Sequence, residues 1–139
     1  MKLTRLFLIN ILALTVLISA ACSGQAPVYA QGTQKDQAVA AAAPFAKDIL
    51  DGIQKDDYSL YSQDFDAAMA KASTQASFEK MVSSFAPYGA LQSSDLINVQ
   101  IVSTYYRVNY KLTFEKKVLT MGVIIPQSGT PAVSGLWFN

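Results

Sequence analysis

Tyr106-Arg107-Val108-Asn109-Tyr110-Lys111-Leu112-Thr113-Phe114-Glu115 is the most ordered pattern in the chain. Apolar or aromatic side chains at 106, 108, 110, 112 and 114 alternate with polar ones at 107, 109, 111, 113 and 115. A period of two sends the two sets to opposite sides of a pleated strand, one side buried and one wet. Glu115-Lys116-Lys117 then turns the chain, and Val118 to Ile125 (VLTMGVII) is apolar almost throughout, as in a strand covered on both faces. Pro126 to Pro131 is a further turn, and Ala132 to Phe138 (AVSGLWF) closes the sequence. Upstream, Ile97, Val99 and Ile101 alternate with Asn98 and Gln100. Strands joined by short polar turns predict an antiparallel meander of about four strands.

Before Gly89 the period is helical. From Gln34 to Lys55, Ala38–Ala43 carries high helix propensity, and Phe45, Ile49 and Ile53 recur every four residues with Leu50 beside them. Pro44 either opens a new helix at its first position or kinks a longer one. Asp56-Asp57-Tyr58 breaks the pattern. Ser59–Phe65 and Asp66–Ala72 read as short helical pieces, with Tyr58, Tyr61 and Phe65 facing inward. Thr74 is the expected N-cap of a third helix with Phe78, Met81, Val82 and Phe85 on its apolar face, ended by Pro87 and Gly89. Helices first and strands after predict an α+β domain, with the helices packed on one face of a curved antiparallel sheet.

The N-terminus reads as an address. Lys2 and Arg5 precede Leu6–Ile18 (LFLINILALTVLI), an apolar core of 13 residues. A bilayer span needs about 20, so the segment fits a signal peptide rather than a retained anchor. Ile18-Ser19-Ala20-Ala21-Cys22 resembles the lipobox of bacterial lipoproteins, in which the cysteine is acylated and becomes the new N-terminus. The competing reading is an ordinary secretory signal with Cys22 incidental; a cut after Val28-Tyr29-Ala30 lies too far from the apolar core. The resemblance implies residues 1–21 as lipoprotein signal peptide and 22–34 as lipidated cysteine and flexible tether, rich in Gly, Ser, Gln and Ala. The folded domain is then expected over 35–139. It also implies an extracytoplasmic site, cell surface or periplasm, with Cys22 holding the chain on a bacterial membrane. Ser23 in place of aspartate leans that implication towards the outer membrane of a Gram-negative host.

Composition removes several chemistries. The 139 residues include no histidine and one cysteine. That excludes a His-dependent triad or dyad, a His-ligated zinc and an internal disulfide framework. No cofactor motif is present, and none is expected. The formal charge of +1 provides no basic field, so nucleic acid is not an expected partner. Without Lys2 and Arg5, nine basic residues face ten acidic ones. Seven of the ten acids lie between Asp36 and Asp66, whereas Arg107, Lys111, Lys116 and Lys117 lie on or beside the cleanest strand.

Several features together resemble the cystatin-like, nuclear transport factor two-like superfamily of small cone-shaped α+β domains. They are the helix ending at Lys55-Asp56-Asp57-Tyr58, the aromatic short helices, the third helix ending near Gly89-Ala90-Leu91, the hairpin strands and the terminal Ser134-Gly135-Leu136-Trp137-Phe138. The likeness covers residues 36–138. More narrowly, the chain is similar to a bacterial domain of unknown function found alone on lipoproteins or ahead of secreted hydrolases. The resemblance implies a cavity between helices and sheet, and assigns no catalytic residues. Tyr58, Tyr61, Phe65, Tyr106, Tyr110 and Trp137 are the expected cavity-lining set, although each also reads as an ordinary large core residue. Asp56, Asp57, Asp64 and Asp66 read as turn and cap residues before they read as bases.

Three functions remain in play. The first is a non-catalytic domain binding a small apolar ligand or an envelope protein, with a homodimer through the sheet as one form of partner. The second is an isomerase- or dehydratase-type enzyme with an Asp–Tyr pair in the cone, as in ketosteroid isomerases of that superfamily. The third is an accessory subunit of an envelope assembly.

Overall fold

The computed structural model describes residues 26–139. The signal peptide, Cys22 and the start of the expected tether lie outside the described residues. The elements run β1 (Val28–Tyr29), α1 (Gly32–Lys55), α2 (Tyr58–Ser62), α3 (Ala67–Ala72), α4 (Gln75–Phe85), a 3-10 turn (Ala86–Tyr88), β2 (Leu91–Val102), β3 (Tyr105–Phe114), β4 (Val118–Pro126) and β5 (Gly135–Phe138). The fold is α+β, and its one open sheet is antiparallel in the order β1-β2-β3-β4-β5.

The sheet therefore has five strands where the sequence predicts about four. The addition is β1, whose Val28 and Tyr29 pair with Ile101 and Gln100. Ala30 continues the pairing by donating its N–H to the Val99 carbonyl at 2.9 Å, and it is 2 % exposed. Two residues show no periodicity, so a strand this short leaves no mark in a Gly- and Gln-rich stretch. Part of the segment expected as tether is thus built into the sheet, and ordered structure begins well before residue 35.

α1 is one helix of 24 residues running through Pro44, which settles the choice the proline left open. Its buried positions, Ala38, Ala42, Ala46, Ile49, Leu50 and Ile53, form a stripe of small side chains that widens to large ones. The small end lets the helix lie close on the sheet. Thr74 and Asp66 cap their helices as the sequence predicts, accepting from Ser77 at 3.3 Å and Met69 at 2.8 Å, and Asp57, expected only as a turn residue, caps α2 by accepting from the Leu60 N–H at 3.1 Å.

In β3 the inward set holds as read, but the expected wet face does not: Asn109 is buried there, its side-chain amide donating to Asn98 Oδ1 at 2.7 Å. Val108, Tyr110, Leu112 and Phe114 are buried against the helices, with Leu119, Met121, Val123 and Ile125 of β4 beside them. In β2 the reading needs correction. It is longer than predicted, and its register shifts between Leu96 and Asn98. Ile97 sits at that irregularity and is 47 % exposed instead of sharing the inner face with Val99 and Ile101.

Candidate functional site

An apolar opening in the helix layer lies where α2, α3 and α4 meet β5. Its position follows from the caps: Asp57 starts α2, Asp66 starts α3 and Thr74 starts α4, so three short helices wrap the sheet's last strand instead of one long one. The isolated bridge between Phe65 and Val133 ties this layer to the approach to β5, with Asp66 N–H on the Val133 carbonyl at 3.0 Å. What remains between them is a cleft of ≈ 330 Å³. Tyr61, Phe78, Met81, Leu136 and Phe138 form its apolar wall, with Met69 and Ala72 at the side and Ser73 and Ser77 completing the lining. No charged side chain lines it.

The expected aromatic set is only partly brought together. Tyr58, Tyr61 and Phe65 form one cluster around Phe78, with Tyr61 4.7 Å from Phe78 and 5.0 Å from Phe65 between ring centroids. Tyr58 donates its hydroxyl to the Ser73 carbonyl at 2.7 Å, and the Tyr61 hydroxyl lies 3.4 Å from Ser73 Oγ. Burial raises the Tyr61 phenol above its ordinary pKa. Tyr106 and Tyr110 face the helices from β3, away from this cleft. Trp137 is not on the cavity side at all. Leu136 and Phe138 line the cleft, so the residue between them points to the other side of the sheet. There its indole lies over Gly122, at the very place a Cβ would occupy, and the Arg107 guanidinium carbon is 5.8 Å from the ring centroid. Sequence reasoning missed Met69, Ala72, Ser73, Ser77 and Leu136. A methionine, alanine or serine on a short helix has no distinguishing pattern, and only the fold brings these five to one place.

A second groove of ≈ 310 Å³ lies between α1 and the start of β2. Ala43, Ala46, Leu50 and Leu91 make it apolar, and Tyr110 and Asp51 are both on its wall. The Tyr110 hydroxyl is buried without a partner among the described residues, and burial pushes its pKa up to about 12. Asp51 is bound by Lys47 at 2.7 Å and lies 3.6 Å from Lys55. The hydrogen bond from Lys47 holds the Asp51 carboxyl below its ordinary range.

The other aspartates have structural work. Asp56 ends α1 in the left-handed conformation with φ 53°, and Asp57 and Asp66 are caps. Asp64 is raised by burial, with the neighbouring Asp48 carboxylate adding to it, but its surroundings are not those of either groove. Among the described residues, no three His, Cys, Asp or Glu side chains come together to hold a metal ion. Among the same residues, no helix is long and apolar enough to cross a membrane. No protein-family model, curated protein or solved structure matches the chain.

Proposed function

We propose that the chain is a lipoprotein held by acylated Cys22 outside the cytoplasm, on a bacterial membrane, and that its domain binds a small apolar ligand without turning it over. In this reading the domain is a variant of the nuclear transport factor two-like cone, with the cavity placed between the short helices and β5. The observation that carries the binding role is the cleft of Tyr61, Phe78, Met81, Leu136 and Phe138, apolar and free of charge. Methionine and aromatic side chains adapt to an apolar guest, and two serine hydroxyls supply limited orientation. A ligand with one hydroxyl or carbonyl and an otherwise hydrocarbon surface matches that lining.

The enzyme alternative rests on the groove that puts Asp51 and Tyr110 on one wall. Its electrostatics oppose it. A general base working near neutrality needs a raised carboxyl pKa, and Asp51 is lowered by Lys47. A phenol pushed up to about 12 is a weak proton donor.

Native mass spectrometry of the mature protein, purified mildly from its own host, tests the binding role. A mass increment lost on denaturation is the expected result. Ala72→Phe, which fills the cleft, is expected to abolish that increment while leaving the thermal midpoint in place. A clean apo monomer from the unaltered protein would remove the ligand reading, and a clean dimer would move the role to a partner copy on the sheet. For the anchor, Cys22→Ser is expected to release the chain from membranes or leave it unprocessed.

A further inference from the structure

The end of the sheet where the chain enters the domain holds four of the seven exposed large apolar side chains among the described residues, the others being Leu96, Ile97 and Val118. β1 runs antiparallel to β2, so the residues before Val28 leave the domain beside Val102 and the β2–β3 turn. Four large apolar or aromatic side chains stand out at that end: Val28 is 54 % exposed, Tyr29 41 %, and Val102 and Tyr105 each 38 %. Register places Val102, Tyr105 and Pro126 in one row, with Val28 opposite Ile101 one row behind and Tyr29 opposite Gln100 two rows behind.

This end carries no charge of its own. The residues at the tip itself, 26–29, 102–105 and 126–131, include no Asp, Glu, Lys or Arg. The nearest charge on the sheet is Arg107, which opposes Gln100 in the row of Tyr29 and donates to the Gln100 side chain at 3.4 Å, and Lys35 and Asp36 follow in the first turns of α1. At the opposite end Lys55, Asp56, Asp57, Glu115, Lys116 and Lys117 crowd the turns.

The uncharged end is also braced. The Gln127 side-chain amide donates to the Ser103 carbonyl at 3.0 Å and to the Tyr105 carbonyl at 3.1 Å, and its backbone N–H donates to Thr104 at 3.0 Å. The β2–β3 turn and the loop after β4 therefore present one fixed surface.

We infer that this end of the sheet, with Val28, Tyr29, Val102 and Tyr105 at its tip, rests on the phospholipid surface. The inference builds on the acylation of Cys22 proposed above and adds an orientation to it. Five residues, Ser23–Pro27, separate Cys22 from β1, a reach of at most about 20 Å even when fully extended. An anchor so short keeps this end near the headgroups. Aliphatic side chains gain there by entering the boundary between headgroups and acyl chains, and tyrosine is suited to that depth because its ring is apolar and its tip polar. A charge-free surface loses no ionic hydration on contact. The cleft by β5 then opens well above the membrane, since Phe138 pairs with Met121, several residues down β4 from Pro126.

The test uses the mature lipidated protein on phosphatidylethanolamine–phosphatidylglycerol vesicles carrying a headgroup-level quencher. Acylation occupies the only native thiol, so a fluorophore attaches selectively at Thr104→Cys or, at the far end, at Lys116→Cys. Thr104→Cys is expected to be quenched several-fold more than Lys116→Cys. Adding Val102→Glu to the Thr104→Cys chain is expected to bring its quenching down to the far-end level while the protein stays on the vesicles. Equal quenching at both ends, with an intact mass showing acylated Cys22, overturns the docking and leaves the anchor standing. An unmodified Cys22 overturns the anchor and the docking with it.

Discussion

Gly52 of α1 sits where the backbone of α2 crosses the helix. A Cβ there would lie 2.6 Å from the Tyr61 nitrogen and 2.7 Å from its Cα, and neither can move without separating the two helices. In an open helix, replacing glycine with alanine stabilises by about 1 kcal/mol. Here Gly52→Ala is expected to destabilise by about 1–3 kcal/mol, read as a lower urea midpoint, so the sign of the change tests the close approach. Gly122 makes a matching notch under Trp137 on the outer side of the sheet. Because Trp137 is the only tryptophan, Gly122→Val should red-shift its emission as the indole is pushed into water. These two glycines also mark what a linear reading leaves out. Leu136, Trp137 and Phe138 are consecutive and all apolar, so nothing in the run itself says which of them turns outward. The answer lies in Gly122 on the neighbouring strand. Tyr110 was legible as inward-facing, whereas the isolation of its hydroxyl was not. Tyr110→Phe removes an unpaired buried group and is expected to hold or raise stability, by up to roughly 1–3 kcal/mol in a denaturant titration.

At the scale of elements, the helices were read well where a side chain caps them. Asp57, Asp66 and Thr74 each bond the N–H three residues on, and each stands before a recognisable helical run. Asp66 gives this a pH signature. Its bond from the Met69 N–H, helped by Ser134, holds its carboxyl below the ordinary value. A native pKa lower than the unfolded one contributes stability above the unfolded value and loses it as pH falls through the native value. Asp66→Ala is therefore expected to cost about 0.5–2 kcal/mol at neutral pH, and less once the pH falls below the ordinary carboxylate range. Asp66→Asn keeps a capping oxygen and should track the unaltered protein at neutral pH with a shallower loss in acid. Asp64, raised by burial and Asp48, titrates in the opposite sense, but it is present in all three proteins and drops out of the differences. β2 was the poorly read element. Its alternation is broken by two register shifts, and a bulge inserts a residue that an uninterrupted period of two cannot represent.

Across the whole molecule, the antiparallel meander was legible because β2, β3, β4 and β5 each pair with their neighbour in sequence, and the turns between them carry polar, glycine or proline signals. β1 was not, since its partner lies beyond the entire helical layer. Its role is nevertheless testable. A chain beginning at Gln31 loses β1 and the buried Ala30, leaving the full length of β2 as a bare edge. Such a chain is expected to melt lower and to scatter light at concentrations where residues 26–139 stay clear. The same long-range pairing has a consequence for the order of assembly during synthesis. The hairpins of β2–β5 close over short loops and form early, whereas Val28 meets Ile101 only across the longest loop in the domain. The first strand to leave the ribosome is thus the last to find its place, and until it does, the stretch of β2 from Val99 to Ile101 has no partner on its outer side.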